Sequence, residues 1–147
     1  MMNRRAQELM ANGTHFMNPH GLNDDNHYTT AYDLYLIFNE CIKHEDFVNI
    51  IQSEAYTAYY TDVDGNSQEA LFTPTNLYAQ GEVDVPENVT IVGGKTGTTD
   101  EAGYCLILME KDSSDNPYIS IVMGASEKPV LYEDMTSLIE AIPSGQQ

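Results

Sequence analysis

Basic side chains are scarce in this sequence. Lysine and arginine together number 6 against 23 aspartates and glutamates, which gives a formal net charge of −17 over 147 residues. A surface of this sign repels nucleic acid and anionic membrane surfaces, so neither is expected as a partner. The acidic residues are spread over the predicted loops and turns, and solubility is a sufficient explanation for them.

Long apolar runs are also missing. No stretch approaches the roughly 18 consecutive apolar residues of a membrane-spanning helix. Residues 1–5 are followed by polar side chains, so this chain shows no hydrophobic region of the kind found in a signal peptide. The compartment has to be inferred from other features.

Cysteine and histidine are too few and too dispersed to suggest a metal site. Cys41 and Cys105 lack the close spacing of zinc ligands, and we expect both to be small buried side chains without an obligatory disulfide. The histidines form no His-x-x-x-His pair or similar ligand set. They are His15, His20, His27 and His44. The sequence therefore predicts no metal and no cofactor.

Apolar residues at helical spacing predict four helices, over residues 2–10, 31–44, 45–51 and 131–142. Thr30, followed three residues later by Asp33, resembles a capping box at the start of the second helix. β-Branched and aromatic runs predict strands over residues 55–61, 69–73, 90–99, 104–109 and 118–123. We therefore expect one α+β domain, with an antiparallel sheet ordered around residues 90–99 and helices from both ends of the chain packed on it.

The most informative stretch is residues 90–99, T-I-V-G-G-K-T-G-T-T. It predicts a strand that carries a lone cation, Lys95, between glycines that let another backbone or a ligand approach closely. A phosphate-binding P-loop would require glycine at position 89, which is Val89, so that interpretation fails. The remaining interpretation is the Lys-Thr-Gly box of serine enzymes that process or bind penicillin.

Other segments extend this resemblance in order along the chain. Residues 14–22, T-H-F-M-N-P-H-G-L, and residues 28–34, Y-T-T-A-Y-D-L, resemble D-alanyl-D-alanine carboxypeptidases of the low-molecular-mass penicillin-binding type. Residues 95–104 and 122–124 are similar to the last third of the same proteins. The resemblance covers about residues 2–125. It implies the C-terminal half of a transpeptidase-like catalytic domain in the β-lactamase-like superfamily.

Two of the three boxes of that family are not found here. No serine has lysine three residues later, so the Ser-x-x-Lys nucleophile box is absent. Ser114-Asp115-Asn116 spells the second box, Ser-x-Asn, but it follows the Lys-Thr-Gly box, and we expect a polar turn there. Residues 1–147 are therefore expected to be a single partial domain whose nucleophile-bearing half is cut off or encoded elsewhere.

The resemblance assigns roles to four consecutive residues. Lys95 would assist the proton relay and attract the terminal carboxylate of a peptidoglycan stem peptide ending in D-Ala-D-Ala. The Thr96 or Thr98 hydroxyl would bond that carboxylate, Gly97 would let the peptide pair along the strand edge, and the Thr98 amide would be one of two oxyanion donors. β-Lactams would acylate the complete protein, outside the cytoplasmic membrane. The family commonly has an arginine before its last helix, where Lys128 is the only basic residue here.

Two other interpretations remain open from the sequence. The chain could be a non-catalytic module that holds a peptide or cell-wall stem on the Lys-Thr-Gly strand edge. It could also be a small acidic domain in which Lys95 is merely solvated. The effect of Lys95→Ala on peptide binding and on labelling by penicillin distinguishes the three.

Overall fold

The computed structural model describes residues 1–143, and within them the chain forms five helices and five strands. The helices are α1 (Met2–Glu8), α2 (Ala31–Cys41), α3 (Glu45–Ile51), α4 (Leu77–Gln80) and α5 (Lys128–Glu140). The strands are β1 (Tyr56–Thr61), β2 (Ser67–Phe72), β3 (Val89–Thr99), β4 (Gly103–Asp112) and β5 (Pro117–Ala125). The predicted α+β class is confirmed.

All strands pair with antiparallel neighbours, in two separate sheets. β1 and β2 form a two-stranded ribbon, and β3, β4 and β5 form a three-stranded sheet in that order. β4 is therefore the central strand of the larger sheet, and β3 pairs with β4 alone among the described strands. The strand that carries Lys95 lies at a sheet edge.

The main core lies between the larger sheet and α5. Alternate residues of β4, Leu106 and Leu108, are almost completely buried, as are Met135 and Ile139 on α5. Side chains two residues apart on a strand face the same side, so one face of β4 packs on one stripe of α5. α2 packs against β5 and α3 against β3, which places helices from both parts of the chain on the sheet, as predicted.

The start of α2 shows how local sequence positions an element. The Thr30 side chain accepts a hydrogen bond from the Asp33 backbone N–H at 3.1 Å, as the predicted cap requires. The buried Asp33 carboxylate accepts from the Thr14 hydroxyl at 2.7 Å, which ties the helix to the preceding loop. α2 ends at Cys41, three residues before the predicted end at His44, whereas the helix predicted over residues 45–51 is confirmed as α3.

Two glycines of β3 allow close contact with neighbouring backbone. A Cβ on Gly94 would lie 2.2 Å from the Ile107 carbonyl oxygen, and one on Gly93 would lie 2.3 Å from the Ile51 carbonyl oxygen at the end of α3. The β3–β4 register shifts between Ile91 and Gly93. The expected close approach of another backbone to this strand is confirmed.

The cysteines differ from expectation, whereas the polar turn agrees with it. Cys41 and Cys105 are free thiols, but both are only half-buried, so the prediction of buried side chains is wrong. The turn at Ser114–Asn116 is confirmed, since it joins β4 to β5 and the Asp112 carboxylate accepts from the Ser114 and Asn116 backbone N–H groups.

Neither a membrane-spanning helix nor a metal-binding cluster occurs among the described residues. Among residues 1–143, no helix has the length and apolar character needed to cross a bilayer. In the same part of the chain, no group of three or more His, Cys, Asp or Glu side chains is arranged to hold a metal ion.

Candidate functional site

The four predicted site residues lie side by side on the β3 edge strand, near its C-terminal end. Lys95 pairs with Ile107 of β4, and Thr98 pairs with Tyr104. Lys95, Gly97 and Thr98 are exposed, whereas Thr96 is half-buried. The strand is thus accessible along this segment.

A groove of about 440 Å³ lies along these residues. Its walls come from β3, from the start of β4, from the N-terminal half of α5 and from the segment before α4. The lining residues are Thr75, Lys95, Thr96, Gly97, Thr98, Tyr104, Lys128, Leu131 and Tyr132. Within residues 1–143, neither aspartate nor glutamate lines this groove, although the chain has 23 acidic residues.

Hydrogen bonds connect the groove walls. The Thr96 and Thr75 hydroxyls bond to each other, which ties the segment before α4 to β3. The Tyr132 phenol oxygen of α5 accepts from the Leu77 backbone N–H at 2.9 Å, at the first residue of α4. Burial raises the pKa of Tyr132 above its ordinary value, so this phenol stays neutral. The Lys95 ammonium donates to the Thr96 backbone carbonyl.

Space above the strand differs from one glycine to the next. A Cβ on Gly97 would have no heavy atom within 4 Å outside its own chain neighbours, whereas the same addition at Gly94 overlaps β4. The groove therefore offers room for a ligand at Gly97, in the middle of the Lys-Thr-Gly-Thr segment.

Ion pairing separates the six basic residues into two groups. Four of them lie within 4 Å of a carboxylate: Arg4, Arg5, Lys43 and Lys111. Lys95 and Lys128 make no ion pair with any residue that the structure describes, and both line the groove. A strongly acidic chain thus directs its two uncompensated cations to one place, which suits an anionic ligand.

A second depression of about 460 Å³ lies on the other side of the same strand end. It includes Gly97 and Thr98 together with apolar side chains from the N-terminal loop, α2 and β5, such as Phe16, Leu34 and Met123. Cys105, the cross-strand partner of Gly97, also lines it and alternates with the core residue Leu106. The depression therefore opens on the sheet face opposite α5.

Two residues considered from the sequence lie away from the groove. His20 is exposed, and its ring nitrogen accepts from the Leu22 backbone N–H at 3.2 Å within its own loop. Ser114 is part of the β4–β5 turn. Neither lines the groove around Lys95.

Sequence reasoning missed Thr75, Leu131 and Tyr132 as groove residues. Thr75 precedes Lys95 by 20 positions, and Tyr132 follows Lys95 by 37, so spacing along the chain does not connect them. No sequence signal identifies these three residues. The scarcity of basic residues identifies only the two lysines of the groove, Lys95 and Lys128.

An antiparallel sheet with helices on both faces and Lys-Thr-Gly on its edge strand defines the transpeptidase-like class of the penicillin-binding serine peptidases. The chain belongs to the D-alanyl-D-alanine carboxypeptidase family, whose model matches residues 1–127. The resemblance noted from the sequence is confirmed.

Individual relatives agree with this assignment. The D-alanyl-D-alanine carboxypeptidase DacF of Bacillus subtilis is 30% identical over 139 residues, which are 95% of this chain and 33% of that protein. DacA of Haemophilus influenzae, another D-alanyl-D-alanine carboxypeptidase, is 30% identical over 84% of this chain and 28% of its own length. The crystal structure of the Streptomyces K15 DD-transpeptidase superposes with a TM-score of 0.82 at 26% identity, over 95% of this chain and 51% of that one. This chain thus spans about a third of these curated relatives.

Proposed function

We propose that the chain is the Lys-Thr-Gly-bearing half of a serine-type D-Ala-D-Ala carboxypeptidase. The complete enzyme would remove the terminal D-Ala of peptidoglycan stem peptides through an acyl-enzyme, outside the cytoplasmic membrane, and β-lactams would acylate it as substrate analogues. Family membership supports the reaction class. The observation that carries the proposal for this chain is the groove with two uncompensated lysines beside an open strand edge.

The proposed chemistry assigns the groove to the substrate's C-terminal carboxylate. Lys95 and Lys128 supply positive charge without competing carboxylates, and the Thr98 hydroxyl is exposed to donate a hydrogen bond. The Thr96 hydroxyl is hydrogen-bonded to the Thr75 hydroxyl, so the role of Thr96 is to position the groove wall. Gly97 leaves space for the substrate backbone to run along β3, and the Thr98 amide serves as one oxyanion donor.

The nucleophile is proposed to come from polypeptide outside residues 1–147. No Ser-x-x-Lys occurs in the chain, so the chain lacks the serine hydroxyl that a proton relay assisted by Lys95 would activate. The missing nucleophile-bearing half could pack in the second depression. This depression has an apolar lining, includes Gly97 and Thr98, and opens on the sheet face opposite α5. The chain alone is therefore expected to be inactive.

Labelling with a fluorescent penicillin tests the proposal. The chain alone should remain unlabelled, and a protein in which a segment bearing Ser-x-x-Lys and Ser-x-Asn is joined upstream should become labelled. Lys95→Ala in the joined protein should reduce labelling, whereas Lys111→Ala, which removes a lysine paired with Asp115 in a distant turn, should not. A joined protein that folds but stays unlabelled contradicts the enzyme proposal.

The second candidate is a non-catalytic binding module, and one observation favours it: Lys95, Thr98 and Lys128 line an open groove in a chain that has no Ser-x-x-Lys. It predicts that residues 1–147 alone bind a D-Ala-D-Ala peptide and lose it on Lys95→Ala. If Lys95→Ala changes neither binding nor labelling in any protein tested, Lys95 is merely a solvated surface residue.

A further inference from the structure

A recess with a largely apolar lining lies along α5, beside the candidate groove. Its volume is about 640 Å³, which is within the usual range of small-molecule sites. Leu77 of α4, Val83 of the following loop, and Pro129 and Tyr132 of α5 supply its apolar surface. Leu77 and Val83 also pack against the main core, so these walls are fixed by the fold. We call this recess the α5 pocket.

The hydroxyl groups that line the α5 pocket already have partners within the protein. The Thr136 hydroxyl bonds to the Tyr78 phenol at 2.7 Å, and the Ser137 hydroxyl donates to a backbone carbonyl of the preceding helical turn at 2.9 Å. The Tyr132 phenol accepts from the first backbone N–H of α4. Because none of these hydroxyls depends on a ligand for a hydrogen bond, the pocket favours an apolar group over a polar one.

The α5 pocket adjoins the groove on β3. Lys128 and Tyr132 line both of them. Thr75 in the groove wall precedes Leu77 in the pocket wall by two residues, and the Tyr132 phenol is bonded to Leu77 at 2.9 Å. A carboxylate paired with Lys128 in the groove therefore lies at the border of the α5 pocket. A side chain on the carbon next to that carboxylate is close enough to enter the pocket.

Two charged side chains determine which groups the α5 pocket attracts. Lys128 and Glu133 both line it, and neither makes an ion pair with any residue that the structure describes. Lys128 is shared with the groove, whereas Glu133 lines the pocket alone. A carboxylate is therefore attracted to the Lys128 border, and a second negative charge inside the pocket is repelled by Glu133.

We propose that the α5 pocket binds the side chain of the substrate's C-terminal D-residue and selects apolar side chains larger than methyl. This inference rests on the proposed function, in which the groove holds the carboxylate of that residue. The methyl group of D-Ala would leave the pocket almost empty. A side chain of the size of leucine would instead bury apolar surface against Leu77, Val83 and Tyr132, which strengthens binding in proportion to the area removed from water.

The experiment measures binding of N-acetyl-D-Ala-D-Ala, N-acetyl-D-Ala-D-Leu and N-acetyl-D-Ala-D-Glu to residues 1–147. The D-Leu peptide is expected to bind at least tenfold more tightly than the D-Ala peptide, and the D-Glu peptide more weakly than either. Val83→Phe fills the pocket, so the ratio of the D-Leu and D-Ala affinities should fall to about one. Val85→Phe is the matched control, because Val85 does not line the pocket and the ratio should persist. Ser137→Phe, at an exposed lining position, repeats the test if Val83→Phe fails to fold.

Three results would overturn the inference. They are equal affinity of wild type for the D-Leu and D-Ala peptides, a D-Leu preference that survives filling of the pocket, and binding of the D-Glu peptide as tight as that of the D-Leu peptide. Failure of all three peptides to bind would contradict both this inference and the assignment of the groove to the carboxylate. Penicillin labelling of the joined protein tests the proposed function separately. A labelled joined protein together with equal D-Leu and D-Ala affinities contradicts only this inference.

Discussion

Two of the hairpin turns, those joining β1 to β2 and β4 to β5, have the same hydrogen-bond pattern but join very different strands. Asp62 and Asp112 each accept from the backbone N–H groups two and four residues later, at 3.0 and 2.9 Å in the first turn and 2.8 and 2.9 Å in the second. The residue three positions on has a positive φ in both, 85° at Gly65 and 67° at Asp115. Local side chains are sufficient to form both turns.

The strands next to the turns differ because only one pair has a layer to pack against. β4 buries Leu106 and Leu108 beneath α5, whereas β1 and β2 have no buried residue. Turn chemistry therefore determines where a hairpin forms, and burial against a helix determines how much stability its strands add. The larger sheet should unfold with the whole domain, and the ribbon should open locally at lower free energy.

The largest expected effect comes from closing the space at Gly94. In Gly94→Ala the new Cβ overlaps the Ile107 carbonyl oxygen and the Leu108 side chain, so β3 must move away from β4. We expect a loss of about 3 kcal/mol or more in the free energy of unfolding, measured by urea denaturation. Gly97→Ala is the control, since its Cβ meets nothing within 4 Å and stability should barely change. Equal losses in both variants would show that β3 and β4 are not tightly paired.

A buried carboxyl gives the next largest effect. Glu110 of β4 is completely buried, and neither of its carboxylate oxygens has a hydrogen-bond partner among the described residues. Burial raises the pKa of Glu110 to about 7. The folded state therefore holds a proton between pH 4.5 and 7 that the unfolded state releases.

The sign of the pH dependence follows from this proton. The contribution of Glu110 is fully present below pH 4.5 and is lost as the pH rises towards 7, so wild type should be less stable at pH 8 than at pH 5 by up to roughly 3 kcal/mol. Glu110→Gln should flatten this slope in urea denaturation at several pH values. A Glu110→Gln variant with the wild-type slope would mean that Glu110 is not the titrating group.

Removing each turn aspartate compares ribbon and sheet directly. Asp112→Ala removes hydrogen bonds from the turn that closes β4 and β5, and we expect the melting temperature of the domain to fall by several degrees. Asp62→Ala removes the equivalent bonds of the ribbon, and the global melting temperature should hardly change, while backbone amides of β1 and β2 exchange faster. Equal shifts in melting temperature would show that the ribbon unfolds with the rest of the domain.

The elements that could be predicted from the sequence are those with local causes. The Thr30 cap, the turn at Ser114–Asn116 and the strand pattern around Lys95 depend on neighbours within a few positions, and each was found close to its expected place. α4 was missed because its four residues are too few for periodicity, and only the Asn76 cap indicates it.

Burial was harder to predict than secondary structure. The aromatic residues of β1 indicate a strand whether or not another layer covers them, so the exposure of Tyr56 and Tyr60 could not be foreseen. In the same way, a glutamate in β4 gave no sign that it would be buried without a partner. In the candidate site, residues 95–98 were selected from one motif, whereas Thr75 and Tyr132 depend on tertiary packing of distant segments.

The smallest expected effect concerns the residue with positive φ, which differs between the two turns. Asp115 adopts a left-handed φ of 67° that glycine tolerates better, and Gly65 occupies the equivalent place in the ribbon. Asp115→Gly should stabilise the domain by about 0.5 kcal/mol, because relief of backbone strain exceeds the extra entropy of the unfolded chain, and the exposed pair with Lys111 adds little. The reverse change, Gly65→Asp, should strain only the ribbon, so global stability stays constant while β1 and β2 amides lose protection from exchange. If Gly65→Asp lowers global stability as much as Asp115→Gly raises it, the ribbon belongs to the same cooperative unit as the larger sheet.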